Sequence, residues 1–267
     1  MPQRDGYPDG VPCWVESAQP DQEAAVEFYR GLFGWDFVDR MPPEIPGSYY
    51  VAQIDGLDVA AIGPQESGGE PAVWKTYVSV DSADETAAKV SSAGGRLLVL
   101  PNDIPAGRFA WFTDPAGAAL GLWQAGRTKG VQLVNEPRTW NWSELGTSNP
   151  ETVKTFYAAV FGWDTATTDI GGSEYTMWRM PGYDPGDRGD FDAPVDVIGG
   201  MSPVANGARP QWGVAFIVDD VDAAADKTVD LGGAVAMAPM TTGPVRTAVL
   251  ADPQGAAFSV NSWSPEG

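Results

Sequence analysis

Glu16 and Glu144 are the carboxylates whose surroundings could give them chemistry to do. Each lies two residues beyond a tryptophan, Trp14 or Trp142. A strand has a side-chain period of two, so acid and indole share one face. A carboxylate among indoles loses water, which raises its pKa toward neutrality and suits it to act as a general base. The same group can bind a ligand's amine or hydroxyl, or be held in a structural ion pair, and all three roles stay open. Arg108 and Arg246 occupy matched places in the two halves of the chain. Each could pair with Glu16 or Glu144, meet a ligand carbonyl or stabilise developing negative charge. A plain structural ion pair is the alternative. Tyr50 and Tyr175 offer phenols on a middle strand, with core packing as the other reading.

The missing residues exclude as much as the present ones suggest. The 267-residue chain has no histidine, which removes the commonest general base and the commonest transition-metal ligand. Cys13 is the single cysteine, so intrachain disulfides and thiolate clusters are excluded, and its place beside Trp14 points it away from that indole's face. Sixteen Lys and Arg against 36 Asp and Glu give a net charge of −20. So acidic a surface repels phosphate backbones and anionic lipid, which argues against nucleic acid and membrane as partners. No phosphate-loop pattern occurs. With no apolar leader or spanning stretch in the sequence, a cytoplasmic protein is expected.

The elements that must carry these residues repeat. Phe28–Asp36, FYRGLFGWD, returns as FYAAVFGWD at Phe156–Asp164, and DPAG at Asp114–Gly117 returns as DPQG at Asp252–Gly255. The Gly/Pro/Asp-rich segment Met180–Pro194 is an insertion in the second copy and is expected to form a surface loop able to cover one site. Each half divides again into a strand, a capped amphipathic helix and three more strands. In the first quarter the helix spans Gln22–Phe33 behind Asp21, with Ala25, Phe28, Tyr29 and Leu32 on one face and Gly34 at its end. Asn149 and Asp219 or Asp220 are the corresponding caps in the third and fourth quarters. The DP.G tetrapeptides read as hairpin turns. The pattern is βαβββ four times, an α+β class. The division is 8–125 for the first domain, 126–137 for a linker and 138–264 for the second.

Tandem βαβββ units with FY..(L/V)FGW after a capped helix and DP.G before the last strand resemble the vicinal oxygen chelate superfamily. That is the glyoxalase, bleomycin-resistance and extradiol-dioxygenase group. The resemblance covers about Val11–Trp263 and implies paired modules curled into two cups, without saying which module pairs with which.

In metal-dependent members a ligand lies on a module's first strand, about seven residues before the helix cap. Another lies on the last strand, about four after the Gly of DP.G. Counted from Asp21, Asp81, Asn149 and Asp219, the first position holds Trp14, Trp74, Trp142 and Trp212. The last-strand positions hold Gly121 and Ser259, with small residues near Ala60 or Ala61 and Gly199 or Gly200 in the other quarters. Indole nitrogen is a donor only. The resemblance therefore implies cups without a metal or other cofactor, lined by four indoles that suit a flat aromatic ligand, although the same rings could simply fill a core. Trp123, Trp111, Trp178 and Trp263 on late or middle strands are further candidate lining residues, and one residue of phase would put them outside the cups. Two functions follow. One is metal-independent binding of a bulky planar aromatic metabolite, as in bleomycin-type resistance or as a pathway accessory. The other is a metal-independent isomerase, lyase or oxygenation accessory with a Glu base. A monomer or weak homodimer is expected, because fusion replaces a dimer of shorter chains.

Overall fold

The computed structural model describes residues 3–65, 72–170, 173–184, 196–205 and 207–263. Most of the insertion lies outside the described residues. Each quarter is a βαβββ module. In the first, β1 (Pro12–Gln19) leads into α1 (Gln22–Phe33), β2 (Asp36–Asp39), β3 (Tyr50–Ile54) and β4 (Leu57–Pro64). The second has β5 (Val73–Ser79), α2 (Ala83–Ser92), β6 (Arg96–Ile104), β7 (Gly107–Thr113) and β8 (Ala119–Ala125). The third has β9 (Trp140–Thr147), α3 (Pro150–Phe161), β10 (Asp164–Ile170), β11 (Ser173–Arg179) and β12 (Val197–Pro203). The fourth has β13 (Gln211–Ile217), α4 (Val221–Asp230), β14 (Ala234–Thr242), β15 (Val245–Ala251) and β16 (Ala257–Trp263).

Module pairing, which the repeats leave open, is consecutive. The first two modules form one open sheet, β2-β3-β4-β1-β5-β8-β7-β6, and the last two form its counterpart, β10-β11-β12-β9-β13-β16-β15-β14. The two first strands of each sheet lie antiparallel at its centre, and each is joined on its other side by its own module's last strand in parallel.

Helix starts follow side-chain chemistry. The Asp21 carboxylate accepts from Ala24 N–H, Ser82 Oγ from Glu85 N–H, and Asp220 from the N–H groups of Asp222 and Ala223. Asn149 occupies the cap position of α3 without a side-chain bond; Pro150 starts the helix instead. Gly34 and Gly162 close α1 and α3 in the left-handed conformation, as expected of FGW.

The halves share two cores. Phe33 of α1 packs against Phe216 and Phe258 of the second sheet, and Phe156 of α3 against Phe112 of the first. The DP.G turns take part in this packing. Asp114 Oδ1 accepts three backbone N–H groups, from Ala116, Gly117 and Ala118, which shapes the turn. Its Oδ2 accepts the Tyr157 hydroxyl of the other half at 3.0 Å. Asp252 repeats this with Tyr29 at 3.0 Å. Both acids are buried, and burial raises the pKa of Asp114 despite its donors.

Candidate functional site

Register fixes which side chains share the inner face of each sheet. Across the first, Trp14, Tyr77, Gly121 and Trp111 stand in one row, from β1 through β5 and β8 to β7. The matching row of the second sheet is Trp142, Ala215, Ser259 and Val249. One step along, Ala61, Glu16 and Lys75 align in the first sheet, and Gly200, Glu144 and Gly213 in the second. The backbones match, but the second face carries Ala215 and Val249 where the first carries Tyr77 and Trp111.

The first cup is filled. Trp14, Tyr77, Trp111 and Trp123 are each no more than 7% exposed. The Tyr77 ring meets Trp111 edge-on with centroids 4.6 Å apart, and Lys75 Nζ sits 4.9 Å above Trp111. Glu16 is held among them. Its two carboxylate oxygens accept the hydroxyls of Tyr49 at 2.8 Å and Tyr77 at 2.7 Å, and Lys75 Nζ lies 4.0 Å away. Trp14 Nε1 donates to Tyr49 Oη at 3.1 Å. Burial first, and Glu16 second, hold both phenols well above their ordinary pKa, so they stay donors. This is a closed polar network inside an aromatic core.

The second cup keeps the same first elements, with smaller side chains in the places of Tyr77 and Trp111. Trp142 Nε1 donates to Tyr175 Oη at 2.9 Å, and Tyr175 donates to Glu144 Oε2 at 2.9 Å. The Ser202 hydroxyl donates to Glu144 Oε1 at 2.6 Å. Gly200 is required here: a Cβ there would lie 1.9 Å from the Tyr175 oxygen and 2.8 Å from Trp142 Nε1. Glu144 thus has a glycine on each side, and Ala215 and Val249 replace Tyr77 and Trp111. Trp142, Glu144, Gly213, Val249 and Ser259 are all half-buried. Farther along the face, Thr247 donates to Asn261 Oδ1 at 2.7 Å. Burial and then Glu144 raise the Tyr175 pKa. The arrangement is a fixed carboxylate with two hydroxyl donors and an indole beside it, on a half-buried sheet face. It can accept a hydrogen bond from a ligand hydroxyl or ammonium, or take a proton from one.

Several expected site residues lie elsewhere. Trp74 and Trp212 do not face the cups. Their N–H groups donate to Tyr29 and Tyr157 at 2.8 Å within the shared cores. The reason is one residue of phase. Helix α2 is capped by Ser82, not Asp81, and α4 by Asp220, not Asp219. Seven residues before those caps stand Lys75 and Gly213, and a one-residue slip moves a strand side chain to the opposite face. Tyr50 is displaced for the same reason: it pairs with Ile62 on the reverse face, while Tyr49 occupies the place equivalent to Tyr175. Arg108 and Arg246 reach neither glutamate. Arg108 holds Asp84 through two bonds of 3.0 Å, and Arg246 holds Asp222 at 2.6 Å, each at the first turn of a helix. Trp123 lines the first cup and donates to Thr128 O, and Trp263, 40% exposed, ends β16 in phase with Ser259. Cys13 is fully buried. Trp111, a candidate lining residue, does stand in the first cup, whereas Trp178 is buried in a shared core. Tyr49, Lys75, Tyr77 and Ser202 were not among the expected site residues. The helix caps, read one residue later, would have pointed to Lys75 and, two residues on, Tyr77.

The family's metal positions, counted from the observed caps, hold Trp14, Lys75, Trp142 and Gly213 on first strands and Ala61, Gly121, Gly200 and Ser259 on last strands. An indole N–H, an ammonium and a missing side chain cannot donate lone pairs to a cation. One glutamate per cup is too few to hold an ion, and no group of three His, Cys, Asp or Glu is suitably placed among the described residues. This donor set does not fit the metal of the family's metalloenzymes.

The fold and the tandem cups define a glyoxalase-like protein of two domains. Residues 14–122 match the glyoxalase/bleomycin resistance protein/dioxygenase superfamily and residues 143–261 match the glyoxalase-like domain, and the chain belongs to that superfamily. It is 42% identical to the "Putative glyoxylase CFP32" of Mycobacterium tuberculosis over 272 residues, covering both chains fully. It is 35% identical to the anthracycline biosynthesis protein DnrV of Streptomyces peucetius, covering 95% of this chain and 94% of that one. Its fold is similar to the Mn(II)-bound glyoxalase of Novosphingobium aromaticivorans, with TM-score 0.62 and 18% identity over 95% of this chain and 82% of that one. It is also similar to the 2,3-dioxygenase LapB of Pseudomonas sp. KL28, with TM-score 0.63 and 15% identity over 96% and 94%. Among the described residues no helix is long and apolar enough to cross a membrane.

Proposed function

We propose that this chain is a metal-independent, cytoplasmic binding protein for a bulky planar aromatic metabolite, and that the ligand sits in the second cup. The observation that carries this reading is the row Trp142, Ala215, Ser259 and Val249, set against Trp14, Tyr77, Gly121 and Trp111. Selection for packing alone gives no reason to place Ala215 and Val249 in one copy of a duplicated cup where the other has Tyr77 and Trp111. A flat ring system lying on Trp142, with a hydroxyl or amine reaching Glu144, uses each feature of the site. Burying about 300 Å² of its apolar surface would contribute about 7 kcal/mol before association costs, enough for micromolar affinity. The net charge of −20 favours a cationic or neutral ligand. The 35% identity to an anthracycline biosynthesis protein supports a polycyclic aromatic as the class, carried or sequestered within secondary metabolism. The chain acts as a monomer or weak homodimer in this reading.

Titration of tryptophan fluorescence with a panel of planar aromatic antibiotics and their aglycones tests the reading. Saturable quenching by at least one member is expected. No quenching across the panel at ligand concentrations on the order of tens of micromolar would contradict it.

One observation favours a second reading, a metal-independent isomerase, lyase or oxygenation accessory. Glu144 is oriented at both oxygens by Tyr175 and Ser202, which leaves each oxygen a second lone pair for a ligand's proton. Turnover of the bound compound that is abolished by Glu144→Gln, with binding kept, would select this reading.

A further inference from the structure

Sixteen lysines and arginines are spread through a chain with 36 acids, yet four of them, Arg4, Arg40, Arg127 and Lys129, line one cavity of about 440 Å³. It lies on the outside of the first domain, where the N-terminal segment and the interdomain linker run over β4. Its frame is pinned by backbone. Arg4 N–H donates to Gln132 O at 2.9 Å, and Gln132 N–H to Asp58 O at 2.6 Å. Gln3 forms an isolated bridge with Leu133.

The cations are unequally committed. Arg40 Nη2 is paired with Asp58 at 2.8 Å. Arg127 spends only Nε, on Pro105 O at 2.7 Å, which orients the guanidinium and leaves both terminal nitrogens. Arg4 Nε is shut off from solvent with no hydrogen-bond partner. Among the described residues no carboxylate lies within 4.0 Å of the charged nitrogens of Arg4, Arg127 or Lys129, although Asp5 also lines the cavity. A buried donor without a partner is costly, and positive charges gathered without counter-ions repel one another.

We infer that this cleft binds a small phosphoryl dianion, either free phosphate or the end of a phosphate monoester. Two guanidinium forks and an ammonium match three phosphate oxygens. The volume falls within the range of about 300–1,000 Å³ typical of ligand pockets. The acid-rich remainder of the surface keeps polyanions away, so the ligand is compact. This site is separate from both cups and does not rest on the reading of the second one.

The test is isothermal titration of the full chain with inorganic phosphate and with phenyl phosphate at low ionic strength. One saturable site per chain is expected for at least one of them. Tighter binding of phenyl phosphate assigns a monoester, and equal or weaker binding assigns the free ion. Lys129→Gln and Arg127→Gln should each weaken binding about tenfold. Lys129 makes no side-chain hydrogen bond or ion pair among the described residues, so that variant leaves the fold alone. Lys227→Gln, an equal loss of charge on exposed α4, should change nothing. The inference fails if no saturable heat appears, if chloride at the same ionic strength gives the same saturable heat as phosphate, or if the two cleft variants bind like the parent.

Discussion

The ring of Tyr77 lies across Gly121. A Cβ at residue 121 would come within 2.3 Å of Tyr77 Cδ1, so the tyrosine and the glycine are one fitted pair. The second domain has Ala215 and Ser259 in those places. There the bulk is gone and so is the need for glycine. Gly121→Ala should therefore destabilise the protein by roughly 1–3 kcal/mol through overpacking. Pairing it with Tyr77→Ala should not restore stability, because that change empties an aromatic core. Chemical denaturation of the three variants checks this.

Arg108 and Arg246 should be dispensable for ligand binding. Both are engaged by aspartates on the first turns of α2 and α4, away from Glu16 and Glu144. Arg108→Gln and Arg246→Gln should leave ligand affinity unchanged in fluorescence titration. A loss of binding would return them to the site.

The two interdomain phenols should matter for stability and not for the ligand. Tyr29→Phe strips a donor from buried Asp252 and an acceptor from Trp74 N–H. Tyr157→Phe does the same to Asp114 and Trp212. Each should cost about 1–3 kcal/mol in denaturant unfolding, with ligand affinity retained.

Alkaline pH should unfold the protein cooperatively. Burial raises the pKa of Tyr29, Tyr49, Tyr77, Tyr157 and Tyr175 well above 10 in the folded state. The unfolded chain sheds these protons near pH 10 while the folded chain keeps them. Folded protein then holds more protons, so stability is full below pH 10 and falls as pH rises beyond it. Phenolate absorbance and circular dichroism should change together. Titration of these tyrosines well below the unfolding transition would contradict their burial.

Tandem βαβββ modules, the FGW helix ends and the DP.G hairpins were all legible in the sequence, because each is set by local chemistry that repeats. Trp14, Glu16, Trp142 and Glu144 were legible as inner-face residues because Asp21 and Asn149 fix the phase of β1 and β9, whereas Tyr175 on β11 was left open between cup and core. Trp74, Trp212 and Tyr50 were not, since each turns on one residue of phase, and Asp81-Ser82 and Asp219-Asp220 offer adjacent caps. The second role of Asp114 and Asp252 was invisible for a different reason. Their hairpin bonds are local, but the tyrosines they accept from come from the other half, across 43 and 223 residues of chain. The contrast between the cups could have been read from Tyr77 against Ala215 only after the phase was known.

The central contrast is between a second cup that takes the ligand and a first cup that is closed. Isothermal titration with a planar aromatic ligand found by quenching measures this directly, on the parent and on Ala215→Tyr/Ser259→Gly, which copies the fitted pair of the first domain into the second. One ligand per chain in the parent, and none in the folded double variant, is the predicted result. Two ligands per chain, or unchanged binding in the double variant, would contradict it.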